Sequence, residues 1–476
     1  MTEIYDTQID FTYASGTSID QIIGFEMAGV IWSSYLDDDV TVRIHVESTS
    51  ELPDEVVGAA LPGKKKKVDY DKIWDKLSED ITSSNDRLAF DNLPSTEKEF
   101  SVIIDGVELD KTKEFKLNNA NAKSLGLLKD DSKKLDGYIV VNDLAGNSTV
   151  GWDHDALRSN NIGGNEIDFL SVAMHEVGHI LGFNSGIDDE GWLKVLAESQ
   201  EEDKELKDKD FKFATPLDLY RYSNSTASEG KLDLSTGGDP YFSIDGGNNN
   251  LGYFANGEYS NLGGDGYQAS HWREDSSQGI MNPVLPVGER RNISDLDLTA
   301  MDVIGWDLNT SGTQDWSQMY DAAENNAESA VVEDRSKDVE KMIDESKYDG
   351  RRRQRSTRVD YYLQIGYWQY TTLDDVDNPE VVVEDGIELE TEENSSSVSE
   401  QETDESNPDR DSDDLDSDIA EEDSSSVSEQ ETDESISDSD FDGLDLDSTK
   451  NEDITGSSSS YWGEDSLLFE SSYIIV

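Results

Sequence analysis

The sequence predicts an α+β fold, and three observations predict it. Short stretches that alternate apolar and polar residues read as strands. Longer stretches with apolar residues at three-to-four spacing, scattered between them, read as helices. Beyond residue 373 the composition turns abruptly acidic and can bury no core, so the ordered part ends near there. The expected organisation is a main domain over residues 1–309, a helix with a short strand-like segment over 310–373, a disordered acidic repeat tail over 374–455, and a C-terminal segment over 456–476.

The elements follow in order. Ile9, Asp10, Phe11, Thr12 and Tyr13 alternate as a first strand. Thr17 or Ser18 can cap a helix that carries Ile19, Ile22, Ile23, Met27, Val30 and Ile31 on its apolar face. Val40, Val42, Ile44 and Val46 share one face of the next strand, which places His45 on the polar face as a solvated or hydrogen-bonded residue. Lys64, Lys65, Lys66 and Lys67 form a basic run that reads as a solvated loop. A helix is expected over 71–83 and a strand over 100–105. Tyr138, Ile139, Val140 and Val141 make a continuous apolar strand. His154, between Asp153 and Asp155, reads as a hydrogen-bonded loop histidine. A closing helix is expected over 296–306 and one long helix over 315–347.

The chain has 476 residues, with 38 Lys and Arg against 107 Asp and Glu, a formal net charge of −69. That charge excludes nucleic acid and anionic membrane surfaces as partners. There is no cysteine, so disulfides and a thiol nucleophile are excluded. No run of about 18 apolar residues exists to span a membrane. The first residues have neither a basic region nor an apolar run, so no Sec signal is expected.

The chemistry concentrates in Ser171-Val172-Ala173-Met174-His175-Glu176-Val177-Gly178-His179-Ile180-Leu181-Gly182-Phe183. On a helix, His175 and His179 project from one face, one turn apart, and can hold a zinc ion from the same side. Glu176 lies beside that site and can act as general base on a water there. Gly182 can end the helix with a positive φ, so that the chain turns sharply beneath the metal. HExxH on a helix is a recognised zinc-protease pattern. A catalytic zinc takes three protein ligands, so one is missing from this stretch. The residue three after the glycine, where metzincins commonly place it, is Ser185, a poor ligand. His271, Asp188 and Glu198 are the candidates, and His271 is preferred because Gly279-Ile280-Met281-Asn282-Pro283 follows it closely.

The block Ser270-His271-Trp272 with Met281-Asn282-Pro283 resembles the leishmanolysin-like metzincins. There a long insertion, here residues 185–270, separates the helix from the third histidine. The resemblance extends to bacterial secreted-type metalloproteases, through Gly24-Phe25-Glu26, Thr215-Pro216-Leu217-Asp218-Leu219-Tyr220-Arg221-Tyr222, Asp239-Pro240-Tyr241-Phe242 and Asp302-Val303-Ile304-Gly305-Trp306. It covers about the first two-thirds of the chain. It implies a twisted mixed sheet with long helices, an active-site helix and a Met-turn at Met281. It implies a zinc endopeptidase acting on protein or peptide substrates, with zinc on His175, His179 and His271. It also implies that a strand lining the cleft pairs with substrate; the stretch at 138–141, or a neighbour near Val150-Gly151-Trp152, is the candidate. The other readings are a non-catalytic binding or adhesion protein on that scaffold, and an acidic calcium-binding surface protein.

In the tail, residues 395–406 recur identically at 424–435. Asp438, Asp440, Asp442 and Gly443 match the opening of an EF-hand loop, but Thr449 stands where its final glutamate belongs; Ca2+ is a second, weaker cofactor expectation. The chain ends Leu467-Leu468-Phe469-Glu470-Ser471-Ser472-Tyr473-Ile474-Ile475-Val476, similar to type I secretion signals. An extracellular location is therefore expected, with the cytoplasm as alternative.

Overall fold

A computed structural model describes residues 5–346, apart from short internal stretches of which the longest are 200–204 and 310–314, and residues 369–373. The architecture is α+β with mixed sheets. The expected acidic tail, its EF-hand-like stretch and the C-terminal segment lie outside the described residues.

The N-terminal half runs β1 (Gln8–Tyr13), α1 (Ile19–Tyr35), β2 (Thr41–Thr49), β3 (Val56–Pro62), β4 (Lys64–Asp69), α2 (Tyr70–Glu79) and α3 (Ser84–Asp91). It continues with β5 (Ser101–Ile104), β6 (Val107–Asp110), β7 (Glu114–Asn118), α4 (Asn119–Ser124), β8 (Gly137–Asn142), β9 (Gly151–Asp153), β10 (Glu166–Asp168) and α5 (Phe169–Leu181). Short strands follow: β11 (Arg221–Tyr222), β12 (Leu232–Asp233), β13 (Tyr241–Phe242), β14 (Gly252–Tyr253) and β15 (Val284–Leu285). The last elements are α6 (Asp295–Val303), α7 (Trp316–Glu328), β16 (Val331–Val332), α8 (Ser336–Ser346) and β17 (Gln369–Leu373).

The main sheet has the order β15-β17-β3-β8-β2-β1-β16. β1, β2 and β8 are parallel, and β3 runs antiparallel to β8. Ser18 caps α1 through a reciprocal box with Gln21, as the residue type predicts. α1 and α5 pack on each other, and α5 packs on β3. Every residue of α5 is buried, so this helix is apolar all round apart from its chemistry. Each fully buried Leu or Val there contributes about 1.5–3 kcal/mol.

Several expectations need correction. The four-lysine run is no loop: it opens β4, which pairs with β7. The helix expected over 71–83 is α2, which stops short at Glu79; Ser83 then opens a separate helix, α3, through a capping box with Asp86. The single helix over 315–347 is α7 and α8, parted by Val331 and Val332, whose β-branched side chains suit the strand pairing they make with β1. Among the described elements within 310–373, α7 packs on α1 while β16 and β17 join the main sheet. β8 cannot pair with a substrate, because β3 and β2 flank it on both sides; among the described residues β9 pairs with β10 alone, in a two-stranded ribbon. Between β8 and β17 lies β3, a strand that the pattern of Val56-Val57-Gly58-Ala59-Ala60 did not reveal.

Candidate metal centre

Asp168 caps α5 by accepting from the Ser171 amide at 2.9 Å, and Arg158 pairs with the same carboxylate at 2.6 Å. Gly182 closes the helix with φ 136°, as its place after the second histidine predicts. That turn brings the Phe183 carbonyl back to His179, whose Nδ1 donates to it at 2.8 Å. The His175 Nδ1 donates to the Ile280 carbonyl at 2.7 Å, and the His271 Nδ1 to the Gln268 carbonyl at 3.0 Å. Each ring therefore spends its only proton on a backbone carbonyl, which leaves a bare Nε2 lone pair.

These three Nε2 atoms converge. His175 to His179 is 3.0 Å, His179 to His271 is 3.2 Å and His271 to His175 is 3.3 Å. With every Nδ1 already donating, no proton is left to bridge any pair. Burial pushes all three rings below the ordinary histidine range, His175 to about 4, and repulsion between the rings adds to this for His179 and His271. The triad is thus held neutral, the form that binds metals. A tetrahedral site with metal–nitrogen bonds of roughly 2.0–2.1 Å sets its nitrogens about 3.3 Å apart, close to the spacing seen here. The three histidines can hold a metal ion.

The other site residues fall around this triad. Glu176 is fully buried on α5 against β3, and a Cβ added at Gly58 would come within 2.8 Å of its Oε1. Met281 is fully buried under α5: a Cβ at Gly178, the residue before His179, would meet its Sδ at 2.5 Å. Asp188 is not a ligand in this arrangement. Its carboxylate accepts from the amides of Glu258 and Ala269, so it ties down the loop that delivers His271. Glu198 lies outside the described residues. Ser185 bonds to Asp218 at 2.6 Å. His45 and His154 stand away from the triad. His45 is buried rather than solvated and bonds to Thr12 Oγ1 at 2.9 Å. The expected hydrogen bond of His154 is not seen at Nδ1, which is buried with no partner among the described residues; the ring packs on Phe169 instead.

Sequence reasoning missed Asp297. Its buried carboxylate accepts from Trp272 Nε1 at 2.7 Å, the Ile280 amide at 2.9 Å and the Met281 amide at 3.3 Å. One side chain thereby locks the neighbour of His271 to the segment whose carbonyl holds His175. The Ser294-to-Asp297 capping box at the start of α6 was the available signal. A second group, Asp38, Asp80 and Asp307, also brings one ligand atom from each residue within 4.8 Å of the others.

Compared with known proteins, the chain matches no family model, no curated protein and no solved structure.

Proposed function

We propose that this chain is a zinc endopeptidase on a metzincin-type scaffold. The observation that carries the reading is the set of three buried, neutral imidazoles whose lone pairs converge with no proton to share. A cation at the focus of the three lone pairs would stabilise such a set, and an all-nitrogen trio suits zinc. Zinc held there would supply a Lewis acid for a peptide carbonyl and lower the pKa of a water beside it.

The chain's own residues supply the rest. Glu176, next to His175 on the same helix, takes the proton from the attacking water and carries it to the leaving amine. The carbonyls of Ile280, Phe183 and Gln268 fix each ring's tautomer and direction. Met281 fills the floor beneath both helix-borne histidines. The substrate class is a protein or peptide in extended form, met in an extracellular setting. No helix among the described residues is long and apolar enough to cross a membrane.

The test is hydrolysis of casein by the zinc-loaded chain beside Glu176→Gln. The variant should keep its zinc and lose about 10²–10⁴-fold in rate, the usual worth of a positioned general base. Hydrolysis undiminished in Glu176→Gln, or a wild-type chain that binds zinc and cleaves nothing under any condition, overturns the reading.

A further inference from the structure

β17 lies where an incoming peptide strand would lie. It runs antiparallel to β3, with Gln369 opposite Ala60, Tyr370 opposite Ala59 and Thr371 opposite Gly58. On its other side it runs parallel to β15, with Thr372 opposite Val284 and Leu373 opposite Leu285. The register against β3 shifts between Thr371 and Thr372, and Thr372 is paired on both sides, opposite Val56 of β3 and Val284 of β15. Beneath it lies α5, the helix that carries His175, Glu176 and His179.

Both rims belong to the metal centre. Gly58 is the β3 residue against which the Glu176 carboxylate rests. Val284 and Leu285 line a pocket that reaches His175 and Ile280. Without β17, these rims would present two unpaired backbone edges on either side of a strand-wide gap over the centre. An extended peptide satisfies such edges through its own N–H and C=O groups. The segment that fills the gap comes from this chain, beyond α8 and just ahead of the acidic stretch.

We propose that residues 369–373 are a built-in occupant of the peptide-binding groove, which holds the centre latent until the segment is displaced. The inference rests on the peptidase reading for its consequence, but not for its geometry. A tethered segment competes at an effective concentration near the millimolar range, so a free peptide of equal intrinsic affinity displaces it only at about that concentration.

Two measurements test it on the full chain. Thr371→Pro removes an amide from the middle of the strand and disfavours its pairing. The pair Ala60→Cys with Gln369→Cys places the chain's only two thiols at directly opposed positions, a spacing that a disulfide can span. Mild oxidation should cross-link the folded chain far more completely than the denatured one. A fluorescent peptide copying residues 367–375 should then bind Thr371→Pro at least about tenfold more tightly than the cross-linked chain. Casein hydrolysis should rise in Thr371→Pro by a similar factor and fall in the cross-linked chain until it is reduced. No cross-link above the denatured level, or equal peptide binding in the two chains, overturns the proposal. Differential peptide binding with no casein hydrolysis in any state supports the occupied groove and counts against the peptidase reading alone.

Discussion

The histidine triad and the aspartate group at residues 38, 80 and 307 each gather three potential ligands to within 4.8 Å, yet burial acts on them in opposite directions. Removing an imidazole from water favours its neutral form, and neutral imidazole is the ligand form. His175, His179 and His271 are accordingly pushed down. Removing a carboxylate from water also favours its neutral form, but a neutral carboxyl is a poor ligand. Burial, reinforced by the neighbouring aspartates, raises Asp80 to about 9; burial first and Asp307 and Asp37 after it raise Asp38 to about 7. The triad also has each spare nitrogen anchored to a carbonyl, so its donors are aimed as well as close. Proximity is common to both groups; the anchoring of each ring's second nitrogen is what sets the histidines apart.

The sharpest way to break this contrast is His271→Ala. Loss of a direct ligand should weaken zinc binding beyond the roughly 10–100-fold that an outer partner costs. Zinc stoichiometry equal to wild type would take His271 out of the centre. Next in size is Asp297→Asn, which loosens the segment that aims His175. About tenfold weaker zinc binding is expected, read by chelator competition; unchanged affinity would refute the anchoring argument. Gly178→Ala forces a methyl against Met281 Sδ, and overpacking of that kind costs about 1–3 kcal/mol, visible as a lower unfolding midpoint. An unshifted midpoint would mean that the floor beneath the histidines is looser than it looks.

The smallest effect sharpens the other half of the comparison. The carboxyl of Asp80 has a folded pKa raised to about 9, above its unfolded value. Its contribution to stability is therefore complete below the unfolded pKa, about 4, and is lost as pH rises through about 9. Asp80→Asn should unfold with a shallower pH dependence than wild type between pH 5 and 9. Parallel curves for the two chains would show that the aspartate group carries no such strain.

Much of the centre was readable without coordinates because its parts are local. The i, i+4 spacing of His175 and His179, the base between them and the turn at Gly182 are all set within one helix and its cap. His271 was reachable only through its nearness to Met281, and the structure brings it to the helix pair across the insertion. Gly58, Gly178 and Asp297 were not readable as site residues. A glycine's role is defined by what would strike its Cβ, and that neighbour lies more than a hundred residues away in each case. Asp297 looks like an ordinary helix cap until Trp272 and Ile280 arrive at its oxygens.

By itself, the sequence determined the residue chemistry, the capping of α1 and α5 and the acidic character of the final hundred residues, because these depend on composition and on neighbours a few positions apart. Only the tertiary structure decided which strand lies against Glu176, which carbonyl each histidine faces and which strand fills the place between β3 and β15. Strand order and hydrogen-bond partners are contacts between distant parts of the chain, and no local pattern carries them.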